Sequence, residues 1–294
     1  MTAIGRVTHL TVRNSTLNNL QDNLKKMADL QSQASSGKTI NRPSDDPAGA
    51  SDMLRLRDEQ RMLDQYDRNA ADGKAWLTTV GDALTTSLAD ARRVRVLTLQ
   101  GGDAALGQTS RIALAEEIDG LKADLLRQAN TSYLGRSVFA GTTAGGAFAD
   151  DGTFRGVASG SVTRTVGDGT TVRVDSTGSA VFGDGPDSVF ALLDTISATL
   201  RAGGDPTDQV DALDGHITAM LTEVASVGAR TNQVETAQSR IVDQTLNSKT
   251  RLSEIEDIDL AQIILDLQTQ EVAYKGALGA AAKVLQPTLL DYLR

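Results

Sequence analysis

Long apolar rows with a seven-residue repeat occupy both ends of this chain and constrain its fold more than any other feature. One row near the start consists of Leu10, Leu17 and Leu24, and an interleaved row consists of Leu20, Met27 and Ala34. Near the end, apolar residues alternate by four and three at Leu260, Ile264, Leu267, Tyr274, Leu278, Ala281 and Leu285, with only Glu271 skipped. This spacing predicts a helix at each end with apolar residues along one side.

A single helix of this kind cannot bury its apolar side, so each terminal helix needs a partner helix. Pairing the two terminal helices with each other would bury only part of both rows. The remaining apolar surface indicates that the two ends assemble with other chains.

Further helices are predicted between the two ends. The first helix spans about 7–36 and ends at Gly37, and the next begins at Pro47 with Asp46 as its cap. The second helix runs to about residue 99 with an apolar residue at every seventh position, at Leu56, Leu63, Ala70, Leu77, Leu84 and Ala91. Additional helices are predicted over about 106–129 and 188–200, over a long stretch from 210 with an unbroken three–four alternation up to Ile255, and again from Leu260.

Between 141 and 185 glycines become frequent and the hydrophobic period falls to two. Residues 162–166 and 171–174, separated by Gly167-Asp168-Gly169, predict a β-hairpin, and a further short strand is expected at 180–182. The fold class predicted is mainly α, with long nested helices running out and back, a helical bundle, and a small β-rich insertion at the tip.

The helical pattern is interrupted at two places, at 38–47 and at 256–259. In a chain that folds back on itself these breaks lie opposite each other and predict a single joint. Three domains are expected: a terminal coiled-coil domain (1–40 and 257–294), a helical bundle (41–144 and 186–256) and a β-rich inserted domain (145–185).

Composition excludes several classes of protein. The net charge of −9 and the pI near 4.8 disfavour a nucleic-acid-binding protein, which usually has a basic face. No Cys is present, so disulfides and Cys-ligated metal sites are absent. The sequence contains no run near the ~18 apolar residues that span a membrane, and its first residues lack the apolar core of a secretory signal. We therefore expect no membrane partner.

Motifs for chemistry are incomplete. Gly37-Lys38-Thr39 matches the end of a phosphate-binding loop, but Ser32 stands where that loop needs its first Gly. Ser35 and Lys38 match Ser-x-x-Lys without the partner motifs of that enzyme class. His9 and His216 are the only histidines and lie on different predicted helices. We expect no catalytic residue, no metal and no cofactor.

Three Asp-Gly turns, at 150–152, 167–169 and 183–185, lack the spacing of calcium-binding loops. Turn chemistry explains the Asp and Gly residues in them. They therefore give no reason to expect calcium.

Five segments resemble one family. The sequence NRPSDDP at 41–47 is similar to the loop after the first helix of flagellin-like proteins, in the form seen in the hook-associated protein 3 family. Residues 130–141, 227–235 and 274–293 resemble further stretches of the family in the same order, and 165–182 is similar to the small β domain of the hook-associated members.

The resemblance implies a structural subunit of the bacterial flagellum at the junction between hook and filament. It also implies self-assembly into a ring or tube, hook-associated protein 1 on the hook side, flagellin on the filament side, an export chaperone, and export out of the cell without a cleaved signal peptide. The predicted assembly interface consists of Leu10, Leu17, Leu20, Leu24, Met27, Arg42, Pro43, Asp45, Asp46, Leu260, Ile264, Leu267, Tyr274, Leu278, Leu285, Leu289 and Leu293.

Three other functions are weighed against this one. Flagellin, the filament subunit, is the nearest alternative, because few residues separate the two members of the family. A soluble coiled-coil adaptor would form stable dimers but would not need the paired breaks. An enzyme would need clustered polar groups in a pocket, and no segment supplies them.

Overall fold

The computed structural model describes residues 9–284, and it describes side chains for 11–283. Its helices are α1 (His9–Ser36), α2 (Pro47–Gly101), α3 (Gln108–Ala129), α4 (Gly178–Phe182), α5 (Val189–Arg201), α6 (Val210–Glu256) and α7 (Leu260–Val284). Its strands are β1 (Ser132–Tyr133), β2 (Arg136–Ser137), β3 (Thr163–Gly167) and β4 (Thr170–Arg173). The predicted class, mainly α with a small β insertion, is confirmed.

The helix ends follow local chemistry. After α1, Gly37 adopts a φ of +72°, a conformation that glycine reaches without steric cost, and its N–H donates to the carbonyl of Gln33. At the start of α2, the carboxylate of Asp46 accepts a hydrogen bond from the Ala48 N–H at 3.0 Å. Pro47 lacks an N–H, so it loses nothing at the first helical position.

The chain forms two compact units. The terminal unit contains 1–61 and 245–294, and the central unit contains 62–244. Helices α2 and α6 each contribute residues to both units. The three-domain division of the sequence analysis stays a prediction.

In the terminal unit, α1 packs against α7. Lys38, just after α1, forms an antiparallel bridge with Asp257, just before α7, so the two helices run antiparallel. The two predicted breaks do lie opposite each other, and both lie inside the terminal unit rather than at its edge.

The apolar rows of the long helices α2 and α6 are turned inward along their length and contribute to the core of the central unit. All six members of the predicted row on α2 that begins at Leu56 are buried, with exposures of 5 % or less. The predicted three–four alternation on α6 is buried or half-buried at every position, namely Leu213, Ile217, Met220, Val224, Val227, Thr231, Val234, Gln238, Ile241, Thr245, Ser248, Leu252 and Ile255. Here the seven-residue spacing alone identified the inward side correctly.

The insertion shares this core. Strands β3 and β4 pair antiparallel with an irregularity between Thr165 and Gly167, which confirms the predicted hairpin. The five phenylalanines of the chain meet in one cluster with ring centroids 5.3–6.0 Å apart, comprising Phe139, Phe148, Phe154, Phe182 and Phe190. The phenylalanines are therefore concentrated at a single place in the core of the central unit.

The predicted strand at 180–182 is wrong, because this segment belongs to helix α4. Its buried residues are Gly178, Val181 and Phe182. A spacing of three and one fits the turn of a helix, whereas a strand would bury alternate residues. The short apolar run gave no way to distinguish the two from sequence.

A second hairpin, β1–β2, was not predicted. Tyr133 pairs with Arg136, so Leu134 and Gly135 form a two-residue turn. Leu134 has a φ of +49°, and within 9–284 it is the only residue other than glycine with a positive φ. The left-handed conformation costs an L-residue about 1–2 kcal/mol. Leucine is not a usual turn residue, so no local pattern indicated this hairpin.

Candidate assembly surface

Helices α1 and α7 face each other with rows of half-buried or buried residues, called the inward rows below. On each helix these residues alternate strictly by four and three, which is the spacing of a coiled coil. On α1 the inward row consists of Thr16, Leu20, Asn23, Met27, Leu30 and Ala34. On α7 it consists of Ile263, Leu267, Gln270, Tyr274, Ala277 and Ala281.

A polar pair lies in the middle of the inward rows. The Gln270 side-chain amide donates to both the backbone carbonyl and the side-chain oxygen of Asn23, each at 3.1 Å. A polar contact inside an apolar helix pair disfavours displaced alignments, because any shift would leave the amide half-buried without a partner. We infer that this pair aligns α1 with α7.

A second set of apolar side chains on the same helices points to solvent. Those that directly follow a residue of the inward row are called the outward rows: Leu17 and Leu24 on α1, and Ile264 and Leu278 on α7. Their exposures range from 43 % to 52 %. Val12, Leu260, Leu265 and Val272 add further exposed apolar area on these two helices.

Apolar side chains at such density on one pair of helices are unusual for a surface that remains in water. Single exposed apolar residues are normal, but contiguous apolar patches mark interaction sites. Because each outward row follows the helix axis, it presents a stripe onto which another helix can pack.

The predicted interface residues divide between these two surfaces. Leu20, Met27, Leu267 and Tyr274 lie on the inward rows, and Leu17, Leu24, Leu260, Ile264 and Leu278 are exposed. On α7 the predicted row mixes inward residues with exposed ones. It does not include the inward residues Ile263, Gln270 and Ala277. The side chain of Leu10 and the whole of Leu285, Leu289 and Leu293 lie outside the described residues. The role of the set in assembly stays a prediction.

The loop at 38–47 is folded by its own acidic residues. The carboxylate of Asp45 accepts hydrogen bonds from the N–H groups of Asn41 and Arg42, at 3.2 and 2.8 Å. Arg42 and Pro43 are exposed, and Ile40 is buried at 6 % exposure. Asp45 and Asp46 thus shape this loop, while Arg42 and Pro43 are displayed on its surface.

A buried carboxylate holds the loop against the end of α6. Glu256 is 5 % exposed, and it accepts hydrogen bonds from Lys38 and from Arg57, the latter at 2.8 Å. Its backbone carbonyl accepts from the Thr39 N–H at 2.7 Å. Burial by itself would raise the pKa of Glu256, but the hydrogen bonds and charges of Lys38 and Arg57 lower that pKa below the ordinary 4.5. No pattern in the sequence indicated this role of Glu256.

We expect Glu256→Gln to lower the free energy of unfolding of the terminal unit by about 1–3 kcal/mol at pH 7, since both cations lose a charged acceptor. The lower end applies because Lys38 and Arg57 are 46 % and 41 % exposed and therefore screened by water. A carboxylate whose folded pKa is lowered stabilises the fold above its unfolded pKa, and this contribution disappears as the pH falls through the folded value.

Urea unfolding at a series of pH values measures this effect. The difference between wild type and Glu256→Gln should be complete at pH 6–7 and should shrink below the ordinary pKa of 4.5. Glu254→Gln is the control, because Glu254 is exposed and has no ion pair in the described part of the chain. A difference that persists unchanged at pH 3 would contradict the proposed charge interaction.

No helix among the described residues is long and apolar enough to cross a membrane. The same residues contain no group of three or more His, Cys, Asp or Glu side chains arranged to hold a metal ion.

Known proteins resemble this chain over most of its length. The N-terminal helical region of bacterial flagellin matches 7–144, and the C-terminal helical region matches 210–293, together about three quarters of the chain. Flagellar hook-associated protein 3 of Salmonella typhimurium is 29 % identical over 281 residues, covering 84 % of this chain and 87 % of its own. Flagellin of Bacillus subtilis is 25 % identical over 305 aligned residues, covering 96 % of each.

The fold is similar to the crystal structure of flagellar hook-associated protein 3 from Legionella pneumophila. The TM-score is 0.62 at 15 % identity, and the match covers 69 % of this chain and 98 % of the other. The outward rows lie on α1 and α7, inside the two regions that match the helical ends of flagellin. The chain therefore belongs to the bacterial flagellin family, as a structural protein of the flagellum and not an enzyme.

Proposed function

We propose that this protein is a structural subunit of the junction between the flagellar hook and filament, and that it polymerises through its terminal helices. The observation that carries the proposal is the pair of outward rows. An antiparallel pair of helices that leaves Leu17, Leu24, Ile264 and Leu278 in water gains stability when a further helix covers them. A tube or ring of identical subunits supplies such helices at every position.

Charge distribution supports the same conclusion. The terminal unit contains 14 basic and 14 acidic residues, whereas the central unit contains 15 basic and 24 acidic residues. The whole net charge of −9 therefore resides in the central unit. A neutral terminal unit can pack closely against its copies without the repulsion that a strongly charged surface would cause.

The neighbours of such a subunit follow from the family. We propose hook-associated protein 1 on the hook side, flagellin on the filament side, and an export chaperone before assembly. Export out of the cell without a cleaved signal peptide belongs to the same proposal. Hook-associated protein 3 is the name of the Salmonella relative that covers most of both chains.

Flagellin is the second candidate. The match to flagellin of Bacillus subtilis, which covers 96 % of both chains, favours it. The similarity to hook-associated protein 3, in sequence and in fold, favours the junction. The two roles differ in what happens to the filament protein when this subunit is missing.

Deleting the gene and examining the cells by electron microscopy and motility assay tests the proposal. We expect cells with hooks but no filaments, and flagellin shed into the medium, because filament subunits would lack their attachment point. Complementation with the wild-type gene should restore filaments. Absence of any secreted flagellin in the deletion strain would instead identify this chain as flagellin, and normal filaments would contradict both roles.

A further inference from the structure

The β1–β2 hairpin displays the most exposed large apolar side chain between 11 and 283. Leu134, at the turn, is 80 % exposed and has a φ of +49°. Asparagine, aspartate or glycine would occupy this turn position with less strain. A strained conformation combined with an apolar side chain in water gives no benefit to the free subunit, and such combinations cluster at functional sites.

The hairpin is held firmly on α2. The Tyr133 ring lies 5.3 Å from the ring of Trp76, which is 2 % exposed. The Tyr133 hydroxyl donates to Asp72 at 3.2 Å, and Arg164 donates to the other oxygen of the same carboxylate at 2.6 Å. The turn therefore presents Leu134 in a fixed position, which lowers the entropy lost when a partner binds it.

A cation without an acidic partner lies beside Leu134. Arg136 is exposed, and its guanidinium lies 5.8 Å from the Trp76 ring centroid. Within the described residues it has no carboxylate partner. The central unit has nine more acidic than basic residues. An arginine without a carboxylate partner, next to an exposed leucine, therefore differs in charge from most of the surface of this unit.

We propose that Leu134 and Arg136, called the hairpin contact, bind the acidic central unit of a neighbouring copy of this chain in the assembled junction. This inference rests on the proposed function. Copies of a central unit with net charge −9 repel one another, and an arginine directed at a neighbour offsets that repulsion locally and fixes the orientation of the two copies. Leu134 supplies the apolar area that the arginine lacks, and arginine is enriched at protein interfaces and among the residues that carry their binding energy.

The contact is small, but assembly through the terminal helices already brings copies together. A second contact between tethered molecules acts at a high effective concentration, so a small patch suffices to fix how neighbours are arranged.

The variant Leu134→Asn removes the apolar side chain of the hairpin contact and at the same time relieves the backbone strain at this position. Asparagine tolerates the left-handed conformation, and Asn-Gly is the preferred pair for a two-residue hairpin turn. The purified variant should therefore melt about 2–4 °C higher than wild type. In the deletion strain it should be secreted at the wild-type amount but restore filaments on roughly tenfold fewer cells.

The matched control is Val157→Asn, which changes another exposed apolar side chain of the central unit and has no positive φ. It should restore filaments like wild type. Complementation by Leu134→Asn equal to wild type overturns the hairpin contact alone, and so does a variant that melts lower. A deletion strain with normal filaments overturns the proposed function, and the hairpin contact with it.

A cross-link identifies the partner. The chain contains no Cys, so Ser132→Cys gives a single labelling site beside an intact Leu134. After labelling with a photoreactive maleimide on isolated flagella, we expect a product of twice the 31.0 kDa mass that contains only peptides of this chain. Products that join this chain only to flagellin or to another flagellar protein contradict a second copy as the partner.

Discussion

Replacing Leu17 by glutamate is expected to abolish filament attachment while leaving the free subunit folded. Leu17 belongs to the outward row of α1 and is 43 % exposed in the free chain, so a charged side chain there remains in water before assembly. In the assembly proposed above, a neighbouring helix would cover the same position. Burying a carboxylate in an apolar contact without a partner costs several kcal/mol, so each assembled copy would incur that cost.

Deletion-strain cells that produce Leu17→Glu should carry hooks without filaments, as the deletion strain itself does. Filaments should be at least roughly tenfold fewer than with the wild-type gene, because a loss of ~1.4 kcal/mol in contact free energy corresponds to a factor of ten. The purified variant should keep its helical circular dichroism, and its free energy of unfolding should change by less than about 0.5 kcal/mol.

Asn18→Glu is the control for Leu17→Glu. It introduces the same charge one position further along α1, at an exposed residue outside both rows. This variant should assemble normally. Full assembly of Leu17→Glu, or equal loss with Asn18→Glu, would show that the outward row is not covered by a neighbour.

Gly183→Ala is expected to give the largest loss of stability in the central unit. Gly183 ends helix α4 with φ +78° and ψ −172°, a region that only glycine occupies readily. A Cβ at this position would lie 2.8 Å from the backbone Cα of Ser188 and still closer to the carbonyl oxygen of Asp187. Because both atoms belong to the backbone, neither can move aside by a change of rotamer.

We expect Gly183→Ala to lower the free energy of unfolding by about 3 kcal/mol or more, from conformational strain and overlap together. The melting temperature should fall by roughly 6–12 °C. Calorimetry or thermal circular dichroism measures this shift.

Gly169→Ala is the control that distinguishes backbone strain from atomic overlap of the added Cβ. Gly169 also has a positive φ, +62°, but nothing lies within 4 Å of its missing Cβ. Its substitution should cost only about 1–2 kcal/mol, the price of the left-handed backbone. If both variants melt at the same temperature, then the backbone around Gly183 relaxes and the overlap contributes nothing.

The long helices were predictable because their burial depends on a simple repeat. On α2 every seventh residue from Leu56 to Ala91 is apolar, and this row is buried throughout. Gly37 and Pro47 marked helix ends correctly, since their backbone restrictions act without any tertiary partner.

The terminal helices were predicted only in part. On α7 apolar residues occupy adjacent rows, so an alternation by four and three can be drawn through Ile264 and Leu278 as well as through Ile263 and Ala277. The antiparallel alignment set by the Lys38–Asp257 bridge and the Asn23–Gln270 contact decides which row faces α1. Both contacts join residues more than 200 positions apart, and local spacing carries no information about them.

The sequence by itself determined the helical class, the β3–β4 hairpin, the paired breaks and the surplus of apolar surface at the two ends. These follow from periodicity and from the backbone preferences of Gly and Pro, which act over a few residues. Only the tertiary structure decided which apolar rows remain in water, how Glu256 is held, that 178–182 is a helix, and that Leu134 is strained and exposed. Each of these depends on which residues, distant in sequence, surround a side chain. The type of the residue alone does not determine whether it is buried.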